Sequence, residues 1–441
     1  MHLANLTTAL LKKHLALILF IIIFSTASAQ ENSPYSRYGI GDVVPSQNMV
    51  NRSMGGISAG YADYFSLNFV NPASLAIVRK TILDIGGEVD RRTLKSNTSP
   101  KKFTSTNTVI SYLQFGVPVA SRKMESKNRS WGFSFGIRPL TRINYKIEDH
   151  SRLAGVDSMS TLYEGTGGLS QASLSTGFRI KNFSFGLTGG YSFGSKDNST
   201  QISFINDSVF YYRSNTATNA TFGGGALSAG LLYDIKTKQG VLRLGAYANF
   251  QNKLKSRQSI INQTVTFNGT GEISAIDTVF YRPELEGSII LPATYAVGFT
   301  NLSKNWIYGV DFEMTNWDNY RFNDNKDVVK NNWRLKTGVQ YYPYKDAASS
   351  RRFRDQIQYR AGAFIGPDFV NLQSSKRSEF GFTFGAGLPI SSLRSDFAVL
   401  NTGVEFASRG NKDSKSLREN VIRFTLGFSL NATWFQKRKY D

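Results

Sequence analysis

Over most of the chain, large apolar residues alternate with small or polar ones at a period of two. Trp131, Phe133, Phe135 and Ile137 are separated by Gly132, Ser134 and Gly136. Phe183, Phe185, Leu187, Gly189, Tyr191 and Phe193 repeat the pattern, as do Leu242, Leu244, Ala246, Ala248 and Phe250 against Arg243, Gly245, Tyr247 and Asn249. In a strand this spacing puts one set on one face and the other set on the opposite face. The alternation predicts fourteen strands, at 81–94, 103–119, 130–147, 168–180, 183–194, 224–235, 241–254, 290–300, 305–320, 332–344, 356–366, 379–389, 396–408 and 420–433.

Many of these segments run to about 11–15 residues, nearer a tilted membrane strand than the five or six residues usual in globular sheets. A β-sandwich would also show one apolar face, so length and context decide. Lys12 and Lys13 precede an apolar run, Leu15 to Phe24, that closes on Ala27-Ser28-Ala29 before Gln30. That is the layout of a secretory signal over residues 1–29, cleaved near Ala29/Gln30. Beyond it no apolar run approaches the roughly 18–20 residues of a membrane helix. Connection lengths add a parity: short turns at Lys181-Asn182, Lys236 to Gly240, Asn301 to Asn305 and Pro389 to Ser395 alternate with long outer connections at 195–223 and 255–289. Bacterial barrels, with even strand numbers, show this alternation of short inner turns and long outer loops. The expected fold is all-β, a single 14-stranded antiparallel transmembrane barrel over residues 81–441.

Composition agrees. Cysteine is absent, which excludes disulfide staples, thiolate metal sites and a lipid-modified cysteine after the signal. Glycine at 39 residues and aromatics at 13% suit a barrel whose apolar surface occupies only alternate positions. No fixed repeat period supports a solenoid.

Between Ser33 and Ile77 the alternation disappears. Arg52-Ser53-Met54-Gly55-Gly56, Ala59-Gly60, Asp63 and Asn71-Pro72-Ala73-Ser74-Leu75-Ala76 resemble the N-terminal segment of the FadL (OmpP1/TodX) family of outer-membrane transporters of Gram-negative bacteria. Leu291-Pro292-Ala293, Gly298-Phe299, Trp306, Asp311 and Trp317 are similar to its eighth and ninth strands, and Trp333, Arg334, Gly338 and Tyr359-Arg360-Ala361-Gly362 to its tenth and eleventh. The resemblance implies a hatch at residues 30–80 inside the lumen, with Met54, Gly55, Gly56, Asn71, Pro72 and Ala73 as its motif. It also implies passive uptake of hydrophobic molecules such as long-chain fatty acids. Glycines 39, 41, 55, 56 and 60 permit the tight turns of such a plug, and non-barrel backbone is tolerated at membrane depth only when protein or water surrounds it. A periplasmic tail over Gln30 to Asn51 is the competing reading.

The chain departs from the family where the transporters carry apolar helices. Thr200 to Tyr212 alternates Ile202, Phe204 and Val209-Phe210 with Ser, Asn and Asp, and Ile260 to Tyr281 is rich in Thr and Asn, so these loops read as polar and strand-like. The alternative function is therefore a barrel that transports nothing and serves as a subunit of an outer-membrane machine for protein secretion or barrel assembly. Basic inner-side residues, Arg122, Lys123, Lys127, Arg129, Lys236, Lys238, Arg351, Arg352, Arg354 and Lys437-Arg438-Lys439, fit anionic lipid headgroups or a partner face.

Enzyme chemistry finds little to use. His2 and His14 leave with the signal, so His150 alone remains, in an expected outer loop; a Ser-His-acid site would need it within hydrogen-bond reach of a nucleophile. Asp324 and Asp327, beside Asn323 and Asn325, lack the ligand spacing of an EF-hand. No cofactor or metal is expected. The formal charge of +20 would suggest nucleic acid in a cytosolic protein, but a secreted barrel meets anionic outer-membrane lipids and lipopolysaccharide instead.

Overall fold

The computed structural model describes residues 33–96, 102–119, 124, 126–152, 158–206, 209–267, 273–343, 353–372, 377–393, 396–410 and 417–432. The signal segment lies outside these residues, as do Arg122, Lys123, Arg351, Arg352 and Lys437 to Lys439. The rest forms a closed antiparallel barrel of 14 strands. In chain order these are β1 (Thr81–Lys95), β2 (Lys102–Pro118), β3 (Arg129–Arg152), β4 (Ser158–Ile180), β5 (Phe183–Ile205) and β6 (Arg213–Thr237). Next come β7 (Gly240–Asn249, resuming as Asn252–Phe267), β8 (Ile273–Leu291, resuming as Thr294–Leu302), β9 (Trp306–Thr315, with a short continuation at Arg321–Phe322) and β10 (Asn332–Tyr341). The last are β11 (Gln358–Pro367), β12 (Ser378–Leu393), β13 (Asp396–Arg409) and β14 (Arg418–Ala432). Both interrupted strands keep their neighbours across the break, so each counts once. Closure comes from β14 against β1, from Ala432 opposite Thr81 to Arg418 opposite Lys95.

Each expected strand has its counterpart, but two expected loops do not exist as loops. The stretches 195–223 and 255–289 are mostly strand, because β5, β6, β7 and β8 run on outward as a hydrogen-bonded sheet. β3 to β6 are 23–25 residues long, whereas β9 to β11 have 10 each. About ten tilted residues suffice to cross a bilayer. The excess therefore stands beyond the membrane, and since β4–β5 and β6–β7 join through two-residue turns at 181–182 and 238–239, it stands at the opposite, outer end.

Apolar residues mark the lipid band. Phe135, Leu174, Leu187, Val297, Phe382 and Phe424 are exposed on the outside, while Ser134, Ser175, Thr188, Thr383 and Thr425, each beside one of them in sequence, are buried. Trp131 against Phe133 and Trp306 against Tyr341 stand at the inner ends of their strands, and Phe312 against Trp333 at the outer end, as in the aromatic girdles of membrane barrels. β3 changes parity midway. A bulge between Pro139 and Thr141 shifts the register against β4, and beyond it Ile143 and Tyr145 point inward and are buried. Bulges redirect side chains in this way.

Candidate functional site

The lumen is filled by the chain's own N-terminal segment, in two levels. The inner level, about residues 48–80, begins with the one-turn helix α1 (Met49–Arg52), capped by Asn48, whose side-chain oxygen accepts from Asn51 N at 2.8 Å. Asparagine amides then tie this irregular coil to itself and to the wall. Asn68 donates to the Ser58 and Tyr61 carbonyls at 2.7 Å each. Asn71 donates to the Ala59 carbonyl at 2.7 Å and to Leu231 and Ala246 of the wall at 3.3 Å. Its oxygen caps the short 3-10 turn Pro72–Ile77 by accepting from Ala73 N at 3.1 Å. Such side-chain bonds replace the ladder that irregular backbone lacks. From the wall, Asp311 of β9 accepts from Ser58 N and Ala59 N at 2.5 and 2.7 Å.

Wall glycines make this fit close. A methyl group on Gly245 would overlap the Ala59 carbonyl, one on Gly338 the Met54 carbonyl, one on Gly186 the Pro72–Ala73 peptide, and one on Gly362 the Met54–Gly55 peptide. Thus Met54, Gly55, Pro72 and Ala73 all lie against barrel backbone, and Gly56 packs near Gln47 and Lys336. Gly55 also takes φ +66°, a left-handed conformation that favours glycine.

The outer level, residues 33–47, continues upward through the lumen to the outer loops. Ser33 N donates to Asn144 O at 2.9 Å, Val44 N to Leu140 O at 2.9 Å, and Asp42–Val43 pairs with Thr141–Arg142 of β3. Tyr35 reaches the Leu417 carbonyl at 2.9 Å, and the Arg377 guanidinium stacks 3.4 Å from the Tyr35 ring centroid. Gly39 N donates to Asp327 at 2.7 Å. Tyr35, Ile40, Leu169, Leu254, Ile289, Trp317, Tyr320, Val329 and Phe369 form one buried cluster that closes the outer mouth. The alternative of a periplasmic tail before Asn51 is corrected for the described part of that stretch: hydrogen bonds to β3 and to the outer loops hold it inside the barrel.

Charge lines the wall around both levels. Glu88 of β1 meets Arg52 of the plug at 2.5 Å and Arg142 at 2.8 Å, and Arg423 of β14 meets Asp90 and Glu405 at 2.5 Å. Above them Asp42 pairs with Arg92 at 2.7 Å and Arg409 at 3.2 Å. Burial alone would raise the Asp42 pKa, but these two guanidiniums and the Ser33 hydroxyl outweigh it and hold it at about 2. At the inner mouth, burial pushes the Asp63 carboxyl up. Between the two plug levels remains a cavity of about 210 Å³, apolar at Val70, Leu169 and Leu291 and charged at Arg138, Glu313 and Arg334.

The wall itself has a slit. β2 pairs with β3 only over Leu113–Pro118 against Gly132–Ile137. Beyond that point the strands part, leaving a groove of about 690 Å³ between Val109–Leu113 and Ile137–Arg142.

The remaining candidates stay apart. His150 is exposed on the outer part of β3, 3.6 Å from Glu148. Asp324 and Asp327 do not converge on a cation site, Asp327 being engaged by Gly39, and among the described residues no group of three His, Cys, Asp or Glu is arranged to hold a metal ion. The residues that sequence reasoning passed over are the plug asparagines 48, 51 and 68 and the charged wall; their only signal was polar residues recurring on the lumen side of apolar alternation.

In fold the barrel is similar to outer-membrane channels. A Pseudomonas aeruginosa FadL homologue superposes with a TM-score of 0.56 at 13% identity, covering 89% of this chain and 100% of its own. The toluene transporter TodX of Pseudomonas putida gives 0.55 at 13% identity, with 89% and 99% covered. The toluene transporter TbuX of Ralstonia pickettii gives 0.52 at 12%, with 87% and 98% covered. No curated protein matches the sequence. The sequence model of another family, BamG, matches residues 10–441, so that over nearly its whole length the chain belongs to the BamG family.

Proposed function

We propose that this protein is a sealed outer-membrane barrel that transports nothing and serves as a subunit of a larger machine that secretes or assembles outer-membrane proteins. The observation that carries this reading is the paired charge of the lumen wall around the two plug levels, which run from the Asn71 clamp at the inner level to the Tyr35 and Gly39 contacts with the outer loops. A passage for hydrophobic solutes needs an apolar path, and here the wall carries Glu88, Asp90, Glu405, Arg423, Arg92 and Arg409 in paired arrays. An acyl chain or an aromatic ring moving past these groups would take water or partners from them and return no compensating contact. Membership of the BamG family, distinct from the transporters that share the fold, supports the same reading. Extraction in mild detergent followed by native electrophoresis tests it: the barrel should migrate with companion proteins, and a barrel that always migrates alone refutes it.

One observation favours a second reading, the uptake of hydrophobic compounds such as long-chain fatty acids. Arg138 and Thr141 line both the internal cavity and the slit, so the two lie back to back across β3. On this reading, cells bearing the intact protein take up labelled fatty acid faster than cells lacking it. Equal rates would exclude it.

A further inference from the structure

The inner level of the plug shows almost nothing of itself to water. From Gln47 to Val78 every residue is buried except three that follow one another, Asp63, Tyr64 and Phe65. They form a bend at the inner mouth. Phe65 meets Phe397, at the start of β13, with ring centroids 4.9 Å apart, and Arg79, just before β1, donates its N–H to the Tyr64 carbonyl at 3.3 Å. Asp63 is half-buried and lies in the field of Arg360 and Arg243, but the two rings project: Tyr64 is 49% exposed and Phe65 40%. A tip that only sealed the lumen would meet periplasmic water with polar side chains. Nor are these rings membrane anchors, since the wall stands between them and lipid, and Trp131 and Trp306 supply the inner girdle on its outer face. Apolar rings held out on an aqueous face mark an interaction site, and aromatic residues are enriched in protein interfaces. The bend is also held from both sides. Asn68 donates to the Tyr61 carbonyl at 2.7 Å, and Asn48 to the Ser66 hydroxyl at 3.0 Å and the Leu67 carbonyl at 2.6 Å, so little ordering is left to lose on binding.

Charge selects the occupant. The Arg79 guanidinium lies 5.8 Å from the Tyr64 ring centroid and Lys80 Nζ 5.0 Å from that of Phe397. Around the rim, the three fully described inner turns, 181–182, 236–240 and 301–305, carry exposed Lys181, Lys236, Lys238 and Lys304 and no acidic residue. Asp234 of β6 is buried between Arg179 and Arg243, at 2.8 and 2.6 Å. The inner face thus presents two aromatic rings within a positive field, and its complement is acidic. We propose that Tyr64 and Phe65 are the docking point for a periplasmic polypeptide, which contributes an acidic segment carrying apolar side chains. The inference rests on the subunit reading above and names the face and the chemistry of one companion. The apolar side chains of that segment pack on the two rings, and its carboxylates meet the rim lysines. A phospholipid headgroup would satisfy the lysines equally well, but the rings lie inside the mouth, away from the bilayer.

The test is photocross-linking in intact cells, with p-benzoyl-phenylalanine in place of Phe65 and, as control, in place of Tyr281, an exposed aromatic on the outer extension of β8. The captured peptide is identified by mass spectrometry. The expected result is one segment of a periplasmic polypeptide, with Asp and Glu in excess of Lys and Arg, captured from Phe65 and not from Tyr281. Recovery of that polypeptide with the barrel in mild detergent should fall about tenfold in Tyr64→Ser/Phe65→Ser, the weight of a lost interface aromatic. It should also fall as salt is raised from about 0.1 M to about 1 M, which shortens the Debye length from about 10 Å to about 3 Å. Heat-modifiable gel migration and the absence of steady conductance show that the double variant keeps a folded, sealed barrel. If it does not, Tyr64→Ser and Lys236→Glu/Lys238→Glu, all at exposed positions, take its place, and each should lower recovery. Capture of lipid alone, of a second copy, of this chain's own residues or of a segment without excess acid overturns the docking proposal, as does recovery indifferent to these changes. If companions still co-purify in those cases, the subunit reading stands. A barrel found always alone removes both.

Discussion

At the scale of single residues, the lumen is held by contacts that a sequence does not advertise. Asp42 is separated from its partners Arg92 and Arg409 by 50 and 367 positions, and no local pattern links them. The glycines that admit the plug, such as Gly245 and Gly362, look in the sequence like the small residues of any alternating strand. The motif residues Asn71 and Pro72 were named through the family resemblance; that Asn71 also clamps β6 and β7 was not legible in the sequence. Two predictions belong here. Gly245→Val should leave a folded barrel but force Ala59 away, at a cost of about 1–3 kcal/mol for overpacking; an Ala59→Cys probe, silent in the parent, should then react with a thiol reagent. For Asp42, the folded pKa of about 2 lies below its ordinary 3.8. Its ion pairs thus stabilise the fold above about pH 4, and that contribution is lost as pH falls through the interval toward 2. The melting temperature of the detergent-solubilised protein should fall across that interval, with a shallower fall in Asp42→Asn.

At the scale of elements, the strands were legible wherever one face meets lipid, because only there does a large apolar residue recur at every second position. Beyond the membrane that requirement ends. The outer extensions of β5 to β8 therefore read as loops, although Thr200 to Tyr212 kept a faint alternation among polar residues. The Pro139–Thr141 bulge hides a second feature, since a period read straight through β3 places Ile143 and Tyr145 on the wrong face. The boundary of the lipid band can be measured. Leu174, 62% exposed within the band, should not tolerate arginine: Leu174→Arg should cost about 2–4 kcal/mol and impair insertion. Val279 is 71% exposed on the outer extension of β8, and Val279→Arg should change folding yield little. Equal damage from both would mean that the extended sheet lies in lipid.

At the scale of the whole molecule, fourteen strands follow from hydrophobic pattern and parity, and the loss of alternation before residue 80 marks an N-terminal segment outside the wall, whose place in the lumen was implied only by the family resemblance. What the pattern cannot hold is the lumen's state, since open and plugged barrels share the same lipid face. Orientation follows from the two-residue turns: Ser274→Cys should react with an impermeant reagent on intact cells and Thr237→Cys should not, the reverse result inverting the topology. The central claim is that the chain's own residues 33–80 close the barrel, and ion conductance across a planar bilayer tests it most directly. The intact protein should insert without steady conductance, and a variant lacking residues 33–77 should give a stable open pore. Steady conductance from the intact protein, or none from a folded deletion variant, would contradict the account.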